Sequence, residues 1–423
     1  MSEEISESKT PAGIPVLTGQ DRNSRSAGYM VAVRTGSRDE DPAVGGISHL
    51  LEHVVFRATK KYSSYQMAKE MEGAGGELNA FTGRETTAFY GITIRETADV
   101  AREMVADIVA NPLIEKNDVE LEKKIVLQEL SMIESEPDSY IHDLFANNLW
   151  RGHPLSQDEG GSPDIVGRLD DKDLKGYYEE RYGAPNLSVF AVGSMDPEEA
   201  VAWASESFDG MVGKLRRERS APPVPKAGYF FKKNRSEHCH VAIGFPAYAP
   251  GHALRTASVL LGGVLGSGTS SRLFQEVREK RALVYSVHTM LDQSSDAGAL
   301  CTFLSSTDEN TLESVETVAK TFSVFRKEGL EKGELERTKR LIKGALVRAA
   351  ESTERRMYML ARDYMLDGRP RTLAERLEAI DAVRDEDVMK AAGELMHADT
   401  LNITVLGKGN RGIRKFDLSG LDL

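Results

Sequence analysis

The 423-residue sequence is poor in cysteine, in tryptophan and in long apolar runs. Two cysteines, Cys239 and Cys301, are too few for a disulfide framework, so a reducing cytoplasm is the expected compartment. No stretch approaches the ~18 apolar residues of a membrane span, and the best one, 257–265, is interrupted by glycine. No membrane partner is expected. The opening Met1-Ser-Glu-Glu is acidic and lacks an apolar core, which argues against a secretory signal or an Arg-rich transit peptide. Positive charge is also in deficit: 54 Lys and Arg stand against 66 Asp and Glu, a net charge of −12. Such a chain is ill suited to covering nucleic acid, where clustered cations must neutralise phosphates. The one basic run, Lys214, Arg216, Arg217 and Arg219, adjoins Pro222, Pro223 and Pro225 and reads as a solvated linker. Hydrophobic residues at 40% and charged residues at 28% exclude disorder and leave a globular chain long enough for two domains.

The linker divides the chain almost in half, and the halves resemble each other. Asp173-Leu174 and Asp387-Val388 lie 214 residues apart. At that offset Leu187, Val189 and Gly193 fall on Leu401, Ile403 and Gly407, and Leu121-Glu122 on Leu335-Glu336. A second register, at 223, sets 48–54 over 271–277. In each half a strand (28–35; 239–245) precedes a helix that opens at a Gly-rich turn (from Gly45; from Gly262). Further strands (76–90; 282–290), long helices and a closing strand follow. The expected class is therefore α+β: two similar domains from duplication, each a mainly antiparallel sheet with helices packed on one face. The expected division is 1–212, a linker at 213–226, and 227–423.

The chemistry is concentrated in His49-Leu50-Leu51-Glu52-His53. On a helix, residues four apart share a face, so His49 and His53 can offer two imidazoles to one ion. Glu52, three residues from His49, lies on that face within reach of a water. Two imidazoles with a carboxylate suit zinc better than magnesium or calcium, which prefer all-oxygen shells. A third ligand is required. The helix expected at 117–136 holds Glu122 and Glu129, two turns apart on one face, among Ile125, Val126, Leu130 and Ile133. Taken singly, each glutamate could equally be an exposed helix carboxylate. In the 223 register His49, Glu52 and His53 become Arg272, Gln275 and Glu276, and the residue 214 after Glu129 is Lys343. One half thus reads as metal-bearing and the other as metal-free, with Glu122 alone retained as Glu336.

These residues resemble the pitrilysin / mitochondrial processing peptidase-like family of inverted His-x-x-Glu-His zinc metallopeptidases, in its short two-domain form. The resemblance implies one Zn2+ per chain, held by His49, His53 and Glu129, with Glu122 supporting the ligands and Glu52 as general base. The 76 residues from His53 to Glu129 are one fewer than is usual in that family, as a single loop deletion would give. Segment 76–82 resembles the strand that pairs with a peptide substrate, which implies contacts from Asn79, Ala80 and Phe81. Arg278 and Tyr285 resemble a pair that holds the substrate carbonyl from the second half. Read without the resemblance, Arg278 is a surface helix charge and Tyr285 a strand residue.

The resemblance implies a zinc metalloendopeptidase acting on short or unfolded peptides inside a closed chamber, as a homodimer with shared active sites. The alternatives are a non-catalytic scaffold or core subunit of a larger complex, and a zinc hydrolase acting on a non-peptide bond. The glycine-rich run 262–268 lacks the Lys-Ser/Thr of a phosphate loop. His238-Cys239-His240 reads as plain strand, and His142, His153, His252, His288 and His397 as isolated residues.

Overall fold

The computed structural model describes residues 4–409 and 412–413. It contains two sheets. The first comprises β1 (Glu4–Lys9), β2 (Pro15–Gln20), β3 (Ser26–Val33), β4 (Glu77–Thr82), β5 (Thr87–Ile94) and β6 (Leu187–Gly193), in the order β1-β2-β6-β3-β5-β4. The second comprises β7 (Gly228–Lys233), β8 (His238–Ala247), β9 (Val284–Ser294), β10 (Ala297–Thr307) and β11 (Asn402–Gly407), in the order β7-β11-β8-β10-β9. Apart from β1, the two orders correspond strand for strand. Within each sheet one pair is parallel (β2 with β6, β7 with β11) and the others are antiparallel. Equal topology in both halves supports the duplication and the α+β class.

The central strands are apolar on both sides, as β6 (Leu-Ser-Val-Phe-Ala-Val-Gly), buried throughout, illustrates. Each sheet therefore needs cover on two faces. In the first sheet, Val31, Phe89 and Val189 pack under the helices Ile47–Val55, Ala98–Ala110 and Pro197–Phe208. Met30, Tyr90 and Phe190, on the opposite face, pack against Met357, Leu360 and Tyr364 of the helix Thr353–Asp367. In the second sheet, Ala242, Cys301 and Leu406 meet Ile141, Phe145 and Leu149 of the helix Pro137–Leu149. One helix per sheet thus adds a layer beyond the single helical face expected.

Those two helices also change the domain division. One compact unit consists of Met1–Ser131, Gln157–Arg219 and Val347–Leu373; the other of Met132–Ser156, Ser220–Leu346 and Ala374–Leu423. Each half lends a segment to the other's unit. The division 1–212 and 227–423 separates the sheets but not the units, because hydrophobic periodicity reports that a face is buried, not which sheet buries it. The solvated-linker reading also needs correction. Segment 213–226 is irregular, yet the Arg219 guanidinium, 9% exposed, donates to both carboxylate oxygens of Asp39 at 2.9 and 2.6 Å. The Arg216 amide donates to Asn186.

A second correction concerns the register at 223. Between β8 and β9 the second half has the helix Arg255–Gly266 and then a π-helical stretch, Phe274–Glu279. Between β3 and β4 the first half has Ile47–Val55 and then Ser64–Gly73. By element order the histidine helix corresponds to Arg255–Gly266, and segment 271–277 falls nearer the second helix. Gly262, Gly263 and Gly266 lie inside a buried helix rather than in a turn. Lack of a side chain is needed there: a Cβ on Gly266 would lie 2.2 Å from Thr289 Oγ1.

Candidate metal centre

The helix Ile47–Val55 is anchored by Leu50, Leu51, Val54 and Val55, all fully buried. Residues at i and i+4 then project His49 and His53 from its other side. Its N-cap, Gly46, has φ +91°, and a Cβ there would lie 2.5 Å from the Gly160 carbonyl oxygen, so glycine is required. The helix Lys116–Ser135 brings Glu122 and Glu129 alongside. His53 Nε2 lies 3.3 Å from His49 Nε2 and 3.4 Å from Glu129 Oε2, and His49 Nε2 lies 3.8 Å from that oxygen. Tetrahedral zinc with bonds of ~2.0–2.2 Å separates its ligand atoms by roughly 3.3–3.6 Å. Two of the three separations fall in that range and the third, 3.8 Å, exceeds it slightly, so the three atoms approximate one face of a zinc tetrahedron. Among the described residues they form the group of His, Cys, Asp and Glu side chains able to hold a metal ion.

The surrounding groups favour this use. Glu122, 5% exposed, places Oε2 3.2 Å from His53 Nδ1, which fixes the ring with Nε2 toward the ligand triangle. Arg57 lies 3.5 Å from the other Glu122 oxygen. Burial, with the neighbouring His53, lowers the pKa of His49 to about 4, so that imidazole stays neutral with a free lone pair. For His53 burial pulls downward but is outweighed by the Glu122 hydrogen bond and the charges of Glu129, Glu52 and Glu122, and its pKa is raised. Glu52 accepts a hydrogen bond from the Thr82 hydroxyl. Its burial pushes the carboxyl pKa upward against the opposing effect of that bond.

Thr82 ends β4, which pairs on one side with β5 and stands last in its sheet. Asn79 Oδ1 accepts from the Ala80 amide at 2.8 Å; Ala80 packs against the core, and the Phe81 ring lies 5.5 Å from Tyr358. Arg278 and Tyr285 belong to the second unit and lie together, with the guanidinium carbon 5.6 Å from the Tyr285 ring and 4.7 Å from that of Phe274. Tyr285 is 78% exposed. Between them Ala282 has φ +51°, the one positive value at a non-glycine among the described residues. The positions read as replaced ligands are engaged elsewhere, Arg272 with Glu334, Glu276 with Lys280 and Arg281, and Lys343 with Asp381, and the retained Glu336 pairs with Lys339.

Sequence reasoning missed Thr82, Arg57 and Tyr177, whose contacts with Glu52, Glu122 and Ser48 cross long stretches of chain, and Glu40, which reaches the helix start from six residues upstream. Other histidines have structural partners, and segment 238–240 is strand as expected. His142 and His288 stack with Phe303 at 3.8 and 5.5 Å between ring centroids, and His240 Nδ1 is 2.9 Å from Asp138. None of these joins a three-ligand group.

Comparison with known proteins identifies the family. Residues 15–160 match the family model described as insulinase (peptidase family M16), and residues 168–342 match the peptidase M16 inactive domain. An uncharacterized zinc protease of Mycobacterium tuberculosis is 32% identical over 395 residues, covering 91% of this chain and 89% of that protein. The uncharacterized zinc protease YmxG of Bacillus subtilis is 30% identical over 399 residues, covering 94% and 97%. Among solved structures, a peptidase M16 inactive domain from Pseudomonas fluorescens superposes with a TM-score of 0.89 at 19% identity, covering 96% of this chain and 98% of its own. A protease from Helicobacter pylori gives 0.86 at 20% identity, covering 96% and 100%. At those identities the likeness shows the fold. The two family models together with relatives matched over nearly their whole length place this chain in the M16 peptidase family.

Proposed function

We propose that the protein is a zinc metalloendopeptidase with one Zn2+ per chain, cleaving peptide bonds in short or unfolded peptides. The observation that carries this reading is the triangle of His49, His53 and Glu129 ligand atoms with the Glu52 carboxylate beside it. His49, His53 and Glu129 would hold the ion, with Glu122 orienting His53. When bound, zinc supplies Lewis acidity that polarises a carbonyl and acidifies water. Glu52, held by Thr82, takes the proton of the attacking water and returns it to the leaving amine. The open edge of β4 binds peptide as an added strand, with Asn79, Ala80 and Phe81 as its nearest contacts. Arg278 and Tyr285 donate hydrogen bonds to the developing oxyanion, a contribution of ~2.7–4 kcal/mol for one such donor.

The same reading includes a cytoplasmic homodimer that encloses substrate in a chamber and shares its sites between chains. Among the described residues no helix is long and apolar enough to cross a membrane. The second reading is a non-catalytic scaffold, suggested by the Pseudomonas fluorescens neighbour, which is described as an inactive domain. The complete ligand set and Glu52 in this chain favour catalysis. Glu52→Gln should keep stoichiometric zinc while peptide hydrolysis falls by at least ~10²–10⁴-fold. Wild-type protein with bound zinc and no cleavage of an unbiased peptide library would favour the scaffold.

A further inference from the structure

The histidine helix begins at a residue that cannot cap it. Gly46 has no side chain, and no side-chain cap bond is made from that position. The amides at a helix start must nevertheless be satisfied when buried. Glu40 does this from six residues upstream: Oε2 accepts from the Gly46 amide at 2.7 Å and Oε1 from the Ser48 amide at 2.8 Å. Glu40 is 5% exposed and Ser48 is fully buried. The adjoining Ser48 hydroxyl bonds Tyr177 Oη at 2.8 Å, and that oxygen also bonds Thr35 Oγ1 at 2.8 Å. The first turn is thereby fixed through one carboxylate and one phenol, immediately before His49.

We propose that Glu40 is a positioning residue for the metal centre, acting through the helix start to set the place of the histidine helix, and of His49 on its first turn, relative to Glu129. Burial raises the Glu40 carboxyl pKa, a cost that the two amide bonds and the positive end of the helix dipole counter. The Glu40 carboxylate grips the amides of Gly46 and Ser48, two residues apart, and so restrains the start of the helix. His53 is held separately by Glu122, whereas among the described residues His49 Nδ1 is buried without a hydrogen-bond partner. The helix start, together with the buried Leu50 and Leu51, is therefore a constraint on the place of His49.

The proposal rests on the metal reading above but not on peptidase activity, and its test separates the two. Zinc affinity of full-length protein is measured by chelator competition for wild type, Glu40→Ala, Glu40→Gln and Asp107→Asn. Asp107 is a buried carboxylate of the same unit, bonded to Thr59 and Asn111, and serves as the control for general destabilisation. Glu40→Ala should weaken zinc binding by ~10–100-fold, the range for loss of groups that orient ligands. Glu40→Gln, retaining one acceptor, should recover part of that loss. Asp107→Asn should bind zinc as wild type even where its Tm falls. On a cleaved peptide, Glu40→Ala should lower kcat with KM changed less than about twofold. Hydrogen exchange at amides 46–50 should accelerate in Glu40→Ala beyond that in Asp107→Asn. Wild-type zinc affinity in folded Glu40→Ala, or an equal loss in Asp107→Asn, overturns the proposal. Should Glu40→Ala not fold, Glu40→Gln with undiminished affinity and exchange overturns it alone. If wild type binds zinc but cleaves nothing, the peptidase reading fails while the affinity and exchange results still decide the role of Glu40.

Discussion

Replacing Glu122 by alanine isolates the hydrogen bond behind one of the proposed zinc ligands, His53. Glu122 lies 3.2 Å from His53 Nδ1 and 3.5 Å from Arg57, and it is 5% exposed. Arg57 keeps a second carboxylate, Asp118, at 3.6 Å, so the loss falls mainly on His53. Without Glu122 the imidazole is less basic and its ring is freer to turn. Such partners typically contribute 10–100-fold in metal affinity, or ~1.4–2.7 kcal/mol. Affinity should be read by chelator competition at one pH for both proteins. The metal-free protein provides a second readout. Because the folded pKa of His53 is raised, its contribution to stability is complete below the unfolded value of ~6.5 and is lost as pH rises through the folded pKa. Glu122→Ala should therefore lower the Tm of metal-free protein more at pH 6 than at pH 9. Undiminished zinc affinity together with a pH-independent Tm change would refute the assignment of Glu122 as the His53 partner.

Three further outcomes are expected. A Glu52→Gln chain mixed with an Arg278→Ala/Tyr285→Phe chain should regain activity toward half of wild type per heterodimer; heterodimers that form without recovery would show that each site is contained in one chain. Ala282→Gly should raise stability by ~0.5–1 kcal/mol in denaturant melts by relieving its left-handed backbone, and a loss would contradict that strain. Burial lowers the pKa of His240, and burial followed by the neighbouring His288 lowers that of His142, so both favour the neutral form in the fold. Their contribution is complete above ~6.5 and is lost as pH falls toward their folded values; a Tm series from pH 7.5 to 5 should show a decline that His142→Gln/His240→Gln flattens.

Much of this protein is determined by local sequence pattern. The i, i+4 spacing of His49 and His53 and the two-turn spacing of Glu122 and Glu129 settle which side chains share a helix face, because helix geometry is local. The strands 187–193 and 402–407 were legible in the same way, as apolar runs ending in glycine. Tertiary structure decided the rest. Whether Glu129 meets the histidines depends on how two helices cross, and whether Thr82 reaches Glu52 depends on the placement of an edge strand. The cap from Glu40 was invisible because a carboxylate six residues before a glycine carries no periodic signal. The exchange of the helices Pro137–Leu149 and Thr353–Asp367 between units was equally invisible: an amphipathic helix records that it has a buried face, and only the packed chain records which sheet lies beneath it.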